Sequence, residues 1–517
     1  MVRKVVRFAS IFLFLSTIAA AQTIDLAQFE KRVTVHKLKN GLTVVMCQRP
    51  EAPVFSFATV VDAGAVQDIP GATGLAHMME HEAFKGTPTI GSTNWPAEKA
   101  ALDQVEKTYA AYLAEREKTG GYNEQKLKQL EAAWMAAREQ ADKYAVKNEF
   151  SKILDQNGQE GMNAFTADDE TQYFYSLPSN RLELWAYMES ERYLHPVMRE
   201  FYTERDVVME ERRMRTDSDP FGRLLEQWTA EAFMAHPYHQ PPVGWMSDLQ
   251  RISATQAEAF FHKYYIPSNM VIGICGDLKP AQVVPLLEKY FERIPSPPKP
   301  LDTTTTEPPQ RSSREVVLRE QSQPIYLEGY HRPSYRDPDD VVYDVIAELL
   351  SAGRTSRLYK SLVRDKKLAL AAQGFSDHPG VKYPSLFGFF AATNPGHTNE
   401  ELAQAIQHEI DRLKNEDVSD EELKSVKTRT KAALIRSLGD NEGLAQNLAV
   451  YQLRFGDWRE LFHQVEKFDK VTKEDVRRVS NQLFNENNRT VGIIETARPR
   501  PKSPPAGDKQ PPEGGQQ

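Results

Sequence analysis

The sequence GLAHMMEHEAFKGT, residues 74–87, places two histidines and a glutamate in the pattern H-x-x-E-H. If this segment is helical, His77 and His81 project from one face, one turn apart, close enough to bind a single zinc ion at ~2.0–2.1 Å. Glu80 lies on the flank of that face, where its carboxylate can take a proton from water rather than complete the coordination of the metal. Because only 12 of the 517 residues are histidine, a chance match is rare, and the pattern predicts a helical zinc site.

A catalytic zinc ion needs a third protein ligand and an open position for water. The segment FYTERDVVMEERRMR, residues 201–215, supplies two candidates, because Glu204 and Glu211 share a helix face that is otherwise apolar. A carboxylate directed into a core is costly unless it is paired or bound to a metal. We therefore predict Glu211 as the ligand and Glu204 as the group that orients an imidazole, although the spacing alone also allows the reverse assignment or a buried ion pair.

The composition of the chain restricts its class and its metal ligands. Its 517 residues suit two or three domains, and 64 basic against 72 acidic residues leave a net charge of −8, which argues against nucleic-acid binding. With only two cysteines, Cys47 and Cys275, a cysteine-rich zinc site is excluded, so histidine and carboxylate must hold any metal. Both cysteines lie in strand-like segments, where two buried thiols are favoured over a disulfide bond that an exported protein could also form.

The N-terminal 21 residues have the features of a cleaved signal peptide. Basic residues at 3, 4 and 7 precede an apolar stretch over 8–18 and three alanines at 19–21, and the apolar stretch is too short to span a bilayer. No later segment is long and apolar enough to cross a membrane. The sequence predicts an exported protein, periplasmic or secreted, with no membrane span.

Proline-rich and threonine-rich segments divide the rest of the chain. Residues 294–313 are predicted to be a linker, and residues 497–517 a disordered tail. The blocks 22–293 and 314–496 each open with strand-like segments, continue into helical segments and close on a helix followed by a strand. This layout predicts an α+β fold of two homologous domains, each a mostly antiparallel sheet with helices packed on one face.

An insertion lengthens the first block. Residues 95–147 are rich in alanine, glutamate, lysine and glutamine, and apolar residues recur in them at helical spacing. The glycines at 120 and 121 predict a turn between two helices. This helical hairpin is either a solvated structural arm or an element that docks a partner or gates the access of substrate.

Together these motifs resemble the pitrilysin/insulinase family of zinc peptidases, and in particular its processing-peptidase-like branch, over residues 30–496. The most specific element is H-x-x-E-H followed by FKGT; the other matching segments, in the family's order, are NAFTADDETQYF (163–174), ERDVVMEE (204–211), HPYHQPPVGW (236–245) and YYIPSNMVIGICGD (264–277). The resemblance implies a zinc peptidase whose two homologous domains enclose a chamber. It also implies that the ligand glutamate lies seven residues after the glutamate of the E-R pair, which is Glu211 after Glu204, with the insertion accounting for its longer separation from His81.

The resemblance also implies where a substrate binds. Asn163, Ala164 and Phe165 match the edge strand that pairs with an extended peptide in the family, although without the family they could equally form an ordinary edge strand. Arg357 matches the substrate-binding arginine of the second domain. The tyrosine that accompanies this arginine is replaced by Leu370, so either a homologous partner subunit supplies the Arg/Tyr pair or the chain works with weaker transition-state support; we favour the partner.

The sequence thus predicts an exported zinc-dependent endopeptidase that binds one Zn²⁺ and cuts oligopeptides or unfolded polypeptide segments, with Glu80 as the general base for a zinc-activated water. The alternative is a non-catalytic structural or assembly subunit on the same fold. Relatives of that kind typically lose a metal ligand or the base, whereas all four residues are present here. A metal carrier without turnover is disfavoured because carriage does not require Glu80.

Overall fold

The computed structural model of the protein describes residues 26–497. The signal peptide predicted over 1–21 lies outside these residues, and so does the tail predicted over 497–517, apart from its first residue. Among the described residues, no helix has both the length and the hydrophobicity needed to cross a lipid bilayer.

The strands form two sheets. The first sheet has the order β1-β2-β6-β3-β5-β4 and the second has the order β7-β11-β8-β10-β9. The strands are β1 (Val33–Lys37), β2 (Thr43–Gln48), β3 (Val54–Val61), β4 (Glu160–Thr166), β5 (Thr171–Pro178), β6 (Met270–Gly276), β7 (Arg314–Glu320), β8 (Ile325–Arg332), β9 (Ala369–His378), β10 (Ser385–Thr393) and β11 (Arg489–Thr496).

Helices fill the segments between the strands. They are α1 (Leu26–Glu30), α2 (Leu75–Glu82), α3 (Trp95–Arg116), α4 (Glu124–Asp142), α5 (Glu149–Gln156), α6 (Leu182–Leu194), α7 (Phe201–Arg212), α8 (Pro220–Ala232), α9 (Met246–Leu249), α10 (Ala254–Tyr264), α11 (Pro280–Phe291), α12 (Asp340–Ser351), α13 (Asn399–Asn415), α14 (Asp420–Ser437), α15 (Asn441–Phe455), α16 (Glu460–Lys470) and α17 (Lys473–Leu483). Two π-helical turns cover Arg213–Asp217 and Tyr359–Asp365. Short 3₁₀ turns cover Ala65–Gln67, Ser179–Arg181, Pro237–His239, Pro267–Asn269, Gly353–Thr355 and Glu486–Asn488.

The two sheets repeat one topology. In the first, β6 pairs parallel with β2 and antiparallel with β3. In the second, β11 pairs parallel with β7 and antiparallel with β8, and the remaining pairs of both sheets are antiparallel. The predicted α+β fold of two homologous, mostly antiparallel domains is confirmed. The enclosed chamber that the resemblance implies stays a prediction.

The two halves exchange helices. Each sheet packs one face against helices of its own half, but α8 from the first half lies on the second sheet, and α15 and α16 from the second half lie on the first sheet. Trp228 of α8 sits against Gly329 and Gly492, where an added Cβ would come within 2.4 and 3.0 Å of its ring, and its indole N–H donates to the carbonyl of Thr490 at 3.0 Å. Strands that are apolar on both faces, such as β2 with four consecutive buried residues, require this second cover.

The insertion packs on α7. Rings of Tyr109 and Trp134, from α3 and α4, lie 4.5 and 5.1 Å from the ring of Tyr202, and Arg205 donates to the hydroxyl of Tyr109 at 2.7 Å. The hairpin is therefore held against the helix that carries both candidate carboxylates, rather than extending freely into solvent.

The two cysteines are unbridged, buried neighbours. Cys47 of β2 and Cys275 of β6 stand directly opposite each other in the parallel pair. Burial raises the pKa of the Cys275 thiol, which keeps it protonated.

Candidate metal centre

A buried carboxylate, that of Asp68, caps the start of helix α2. The carboxylate of Asp68 accepts hydrogen bonds from the backbone N–H groups of Gly74 at 2.7 Å and Ala76 at 3.0 Å, which satisfies amides that the first turn of a helix leaves unpaired. Burial raises the pKa of Asp68 to about 7. Met78 and Met79 are buried in the core, so the remaining side of α2 presents the imidazoles of His77 and His81.

The structure brings His77, His81 and Glu211 together. Glu211 Oε2 lies 3.7 Å from His77 Nε2 and 3.6 Å from His81 Nε2. One ligand atom from each of the three residues lies within 4.8 Å of the others. Among residues 26–497, this is the one place where three or more potential metal ligands converge in this way. The residues are 77, 81 and 211 along the chain, so the site exists only because α7 packs across α2.

These separations fit zinc. Four ligands at ~2.0–2.2 Å in a tetrahedron are about 3.4 Å apart, close to the two separations measured from Glu211. Two imidazoles and one carboxylate are also the donor set of catalytic zinc sites that leave the fourth position open. The residues present therefore fit the ion that the sequence predicts.

Glu204 lies behind His81 rather than between the imidazoles. Its Oε2 accepts from His81 Nδ1 at 3.3 Å, and its Oε1 accepts from Lys85 Nζ at 2.5 Å. Burial alone would raise the pKa of Glu204, but its contacts with His81 and Lys85 lower the pKa below its usual value. The arrangement favours Glu211 as ligand and Glu204 as the group that orients His81, and it does not match the reverse assignment.

The pKa values of the two imidazoles are shifted in opposite directions. Burial, followed by the charge of His81, lowers the pKa of His77 to about 4. Burial also lowers the pKa of His81, but the hydrogen bonds to Glu204 and Glu211 outweigh it and raise that pKa to about 9. The carboxylates that raise the pKa of His81 also stabilise positive charge at this position, as the surroundings of a bound cation do.

Glu80 stays outside the ligand cluster. Its Oε2 is 4.0 Å from His77 Nε2, and its carboxylate is not one of the three groups whose ligand atoms converge. Burial raises the pKa of Glu80, while a hydrogen bond with the Thr166 side chain opposes this. A carboxylate with a raised pKa beside a metal site suits a general base.

The predicted substrate-binding residues Asn163, Ala164 and Phe165 lie on β4, at one edge of the first sheet. Within the described part of the chain, β4 pairs with β5 alone and its other edge carries no strand. Phe165 is 40% exposed, and the Asn163 side chain accepts from the N–H of Ala164 at 2.9 Å. Because the strand ends at Thr166, which contacts Glu80, an open edge leads directly to the metal cluster.

Arg357 does not join this cluster. Its guanidinium is buried and donates to both carboxylate oxygens of Glu422, at 2.9 and 3.1 Å. Leu370, which stands where the resemblance places a tyrosine, is 55% exposed on β9. Arg357 is thus paired with a carboxylate of α14, and its role in substrate binding stays a prediction.

Two residues of the site, Arg215 and Lys85, are not predicted from the sequence. Arg215 Nη1 forms an ion pair with Glu211 Oε1 at 2.6 Å, and a spacing of four residues on a helix can predict such a pair from the sequence. Lys85 pairs with Glu204, 119 positions further along the chain. No local pattern reports that contact, although Lys85 stands in the FKGT segment that was noted as a motif.

Comparisons with known proteins show which proteins the chain resembles. Residues 43–114 match the family described as Insulinase (Peptidase family M16), and residues 251–430 match the Peptidase M16 inactive domain. The chain is 29% identical to the zinc protease PqqE of Helicobacter pylori, with 89% of this chain and 91% of that protein covered. It is 24% identical to a probable mitochondrial-processing peptidase subunit beta of Arabidopsis thaliana, with 90% of this chain and 78% of that protein covered.

The fold has a close match among solved structures. A protease from Helicobacter pylori superposes with a TM-score of 0.74 and 27% sequence identity, and the match covers 90% of this chain and 99% of that chain. Relatives that carry the name zinc protease support a peptidase role in general.

Proposed function

We propose that this chain, which belongs to the insulinase family (peptidase family M16), is an exported zinc-dependent endopeptidase that hydrolyses oligopeptides or unfolded polypeptide segments. The observation that carries the proposal is the convergence of His77, His81 and Glu211 within coordination distance of one cation, with Glu80 beside them and outside the ligand set. Export rests on the signal peptide predicted over residues 1–21.

The residues divide the chemistry between them. A zinc ion held by His77, His81 and Glu211 would supply a Lewis acid and a water of lowered pKa. Glu80 accepts a proton from the attacking water and later delivers it to the nitrogen of the leaving amine, so the carboxylate ends the cycle unprotonated. Its raised pKa suits both transfers.

The open edge of β4 suits an extended substrate. A peptide that adds as a further strand beside Asn163, Ala164 and Phe165 would form backbone hydrogen bonds with the edge and would be led toward Thr166 and Glu80. Unfolded segments satisfy this requirement, because their backbone groups are free to pair.

A homologous partner subunit is part of the proposal. Arg357 is paired with Glu422, and Leu370 stands where the resemblance places a tyrosine, so the chain does not supply the complete Arg/Tyr pair for the substrate. One relative is named as a subunit. A second chain with that pair would complete the chamber, whereas the alternative is a chain that works alone with weaker transition-state support. Copurification of such a homologue at native expression supports the partner, and full activity of the isolated chain contradicts it.

The experiment compares wild type, Glu80→Gln and Glu210→Gln in a peptide-cleavage assay, with the zinc content measured in parallel. Glu210 neighbours Glu211 but pairs with Arg213 on the surface, so its variant is the matched control. We expect Glu80→Gln to lose cleavage by a factor of 10² or more while it retains zinc, and Glu210→Gln to keep both.

Two outcomes would contradict the proposal. Cleavage that survives Glu80→Gln excludes Glu80 as the base. A wild-type protein that binds zinc but cleaves no peptide, with or without a partner subunit, indicates the non-catalytic subunit instead.

A further inference from the structure

Lys85, four residues beyond His81, lies among the carboxylates near the three predicted metal ligands, His77, His81 and Glu211. Its ammonium group is 2.5 Å from Glu204 Oε1 and 3.8 Å from Glu200 Oε2. Since the other oxygen of Glu204 accepts from His81 Nδ1, one carboxylate connects Lys85 with a predicted ligand. The side chains of Lys85 and Glu204 are each only 16% exposed, so solvent screens this contact less than it screens a surface pair.

The backbone of Lys85 is also fixed. Arg199 donates from Nη1 to the carbonyls of Lys85 at 2.5 Å and Ile90 at 3.2 Å, and from Nη2 to the carbonyl of Thr87 at 3.1 Å. Three carbonyls of the segment that follows α2 therefore converge on one guanidinium. This arrangement holds the segment in a single conformation.

The inserted helix α3 holds Arg199 in turn. Both oxygens of Glu98 accept from Arg199, at 2.6 and 3.1 Å, and neither side chain is more than 2% exposed. Glycines on either side leave room for the guanidinium, because a Cβ at Gly91 would lie 2.5 Å from Arg199 Nη1 and one at Gly86 would lie 3.0 Å from it. The insertion thus reaches the backbone of Lys85 through one buried ion pair.

We propose that Lys85 is a positioning residue of the metal centre, which fixes the Glu204 carboxylate so that Glu204 holds His81 Nδ1–H and turns Nε2 toward the metal, while Glu98 and Arg199 keep Lys85 in place. The inference rests on the proposed function, because it takes His81 as a zinc ligand. Without the ammonium group, Glu204 keeps one partner and gains freedom to rotate, and the imidazole loses its fixed orientation.

The test measures zinc affinity of the purified full chain by competition with a chromophoric chelator, and the visible spectrum of the Co²⁺-substituted protein. We expect Lys85→Met to weaken zinc binding about tenfold and to alter the Co²⁺ spectrum, within the range known for partners of metal-ligating histidines. Lys85→Arg, which keeps the charge, should restore most of the affinity. Lys99→Met is the matched control, because Lys99 pairs with Asp103 on the exposed side of α3.

The Glu204→Gln background decides whether Lys85 acts through Glu204. If it does, Lys85→Met costs little further zinc affinity in that background, because the two effects are not additive. An equal loss in both backgrounds, or wild-type affinity and an unchanged Co²⁺ spectrum for Lys85→Met, overturns the inference. Since neither readout requires turnover, a protein that binds zinc but cleaves nothing would contradict the proposed function alone.

Discussion

At the scale of single residues, Glu211 is the carboxylate placed to complete the proposed metal site. Its Oε2 faces both imidazoles, while its Oε1 is held by Arg215 at 2.6 Å. The hydrogen bond with His81 lowers the pKa of Glu211, so the carboxylate is ionised at neutral pH, as a ligand must be. Arg215 lies in the π-helical turn that follows α7, and its guanidinium contacts Oε1, whereas Oε2 is the oxygen that faces the two imidazoles.

The role of Arg357 in substrate binding stays a prediction from resemblance, and the structure adds its ion pair with Glu422. Its sequence context matches a substrate-binding arginine. Two of its nitrogens donate to Glu422, which also accepts from the N–H of Ser419 at the start of α14, while Arg357 Nη1 is buried without a hydrogen-bond partner among the described residues. Burial alone would raise the pKa of Glu422, but Arg357 and Ser419 outweigh it and lower that pKa to about 2. The pair is therefore expected to stabilise the second half.

We predict that Glu422→Gln lowers the stability at pH 7 by about 1 kcal/mol, less than the full pKa shift implies, because the side chain is about one-third exposed. The folded-state pKa lies below the unfolded value of 4.5, so the contribution is complete at pH 7 and is lost as the pH falls from about 4.5 toward 2. Urea midpoints of wild type and variant should differ at pH 7, and the difference should shrink as the pH falls from about 4.5 toward 2. Glu421→Gln, a change at an exposed neighbour, is the control, and a difference that persists unchanged down to about pH 2 would refute the ion-pair account.

At the scale of elements, the segment from Lys85 to Gly91 connects α2 with the insertion. Arg199 donates hydrogen bonds to backbone carbonyls of this segment, and Glu98 of α3 forms an ion pair with Arg199. Gly86 has φ of 93°, which only glycine adopts readily. Buried polar contacts therefore join the insertion to α2, the helix that carries His77 and His81. An arm surrounded by solvent would not make such contacts.

We predict that Gly86→Ala destabilises the protein by about 3 kcal/mol or more, since the new Cβ would meet the carbonyl of Ile90 at 2.3 Å in addition to the backbone strain. Gly396→Ala separates the two causes. Gly396 has nearly the same φ, 92°, with no atom within 4 Å of the new Cβ, so we expect a cost of about 1 kcal/mol. Thermal unfolding of both variants checks this, and equal losses would show that the clash is unimportant.

At the scale of the whole molecule, the exchanged helices join the two halves into one unit. Trp228 of α8 fills a groove over the glycines of the second sheet, and α15 approaches Gly273 of β6 so closely that a Cβ there would meet the carbonyl of Ala445 at 2.0 Å. Neither sheet is covered on both faces without the other half. We therefore expect the halves to unfold together.

We predict that Trp228→Ala costs about 3–5 kcal/mol, the range for loss of a fully buried large side chain, and that it destabilises both sheets. Hydrogen exchange across the denaturation transition can follow β3 and β6 separately from β8 and β11. Met234→Ala, a change at a side chain that is 67% exposed just beyond α8, should leave the transition in place. Independent unfolding of the first sheet at its wild-type midpoint would contradict the exchange as a source of cooperativity.

The sequence predicts what is local and misses what is distant. His77 and His81 follow from spacing on one helix, and the face shared by Glu204 and Glu211 narrows the third ligand to two residues. The repeated order of strands and helices predicts the two domains. The contact of Lys85 with Glu204, the engagement of Arg357 by Glu422 and the seat of Trp228 on the second sheet join residues 65 to more than 100 positions apart, and only tertiary packing decides such pairs.

Anomalous X-ray diffraction at the zinc edge, on crystals of the full chain, tests the central claim most directly. The account predicts one peak at ~2.0–2.2 Å from His77 Nε2, His81 Nε2 and Glu211 Oε2, with Glu80 outside the coordination sphere. Zinc bound elsewhere would contradict the account. So would a peak beside the two histidines that is contacted neither by Glu211 nor by another acidic side chain in its place.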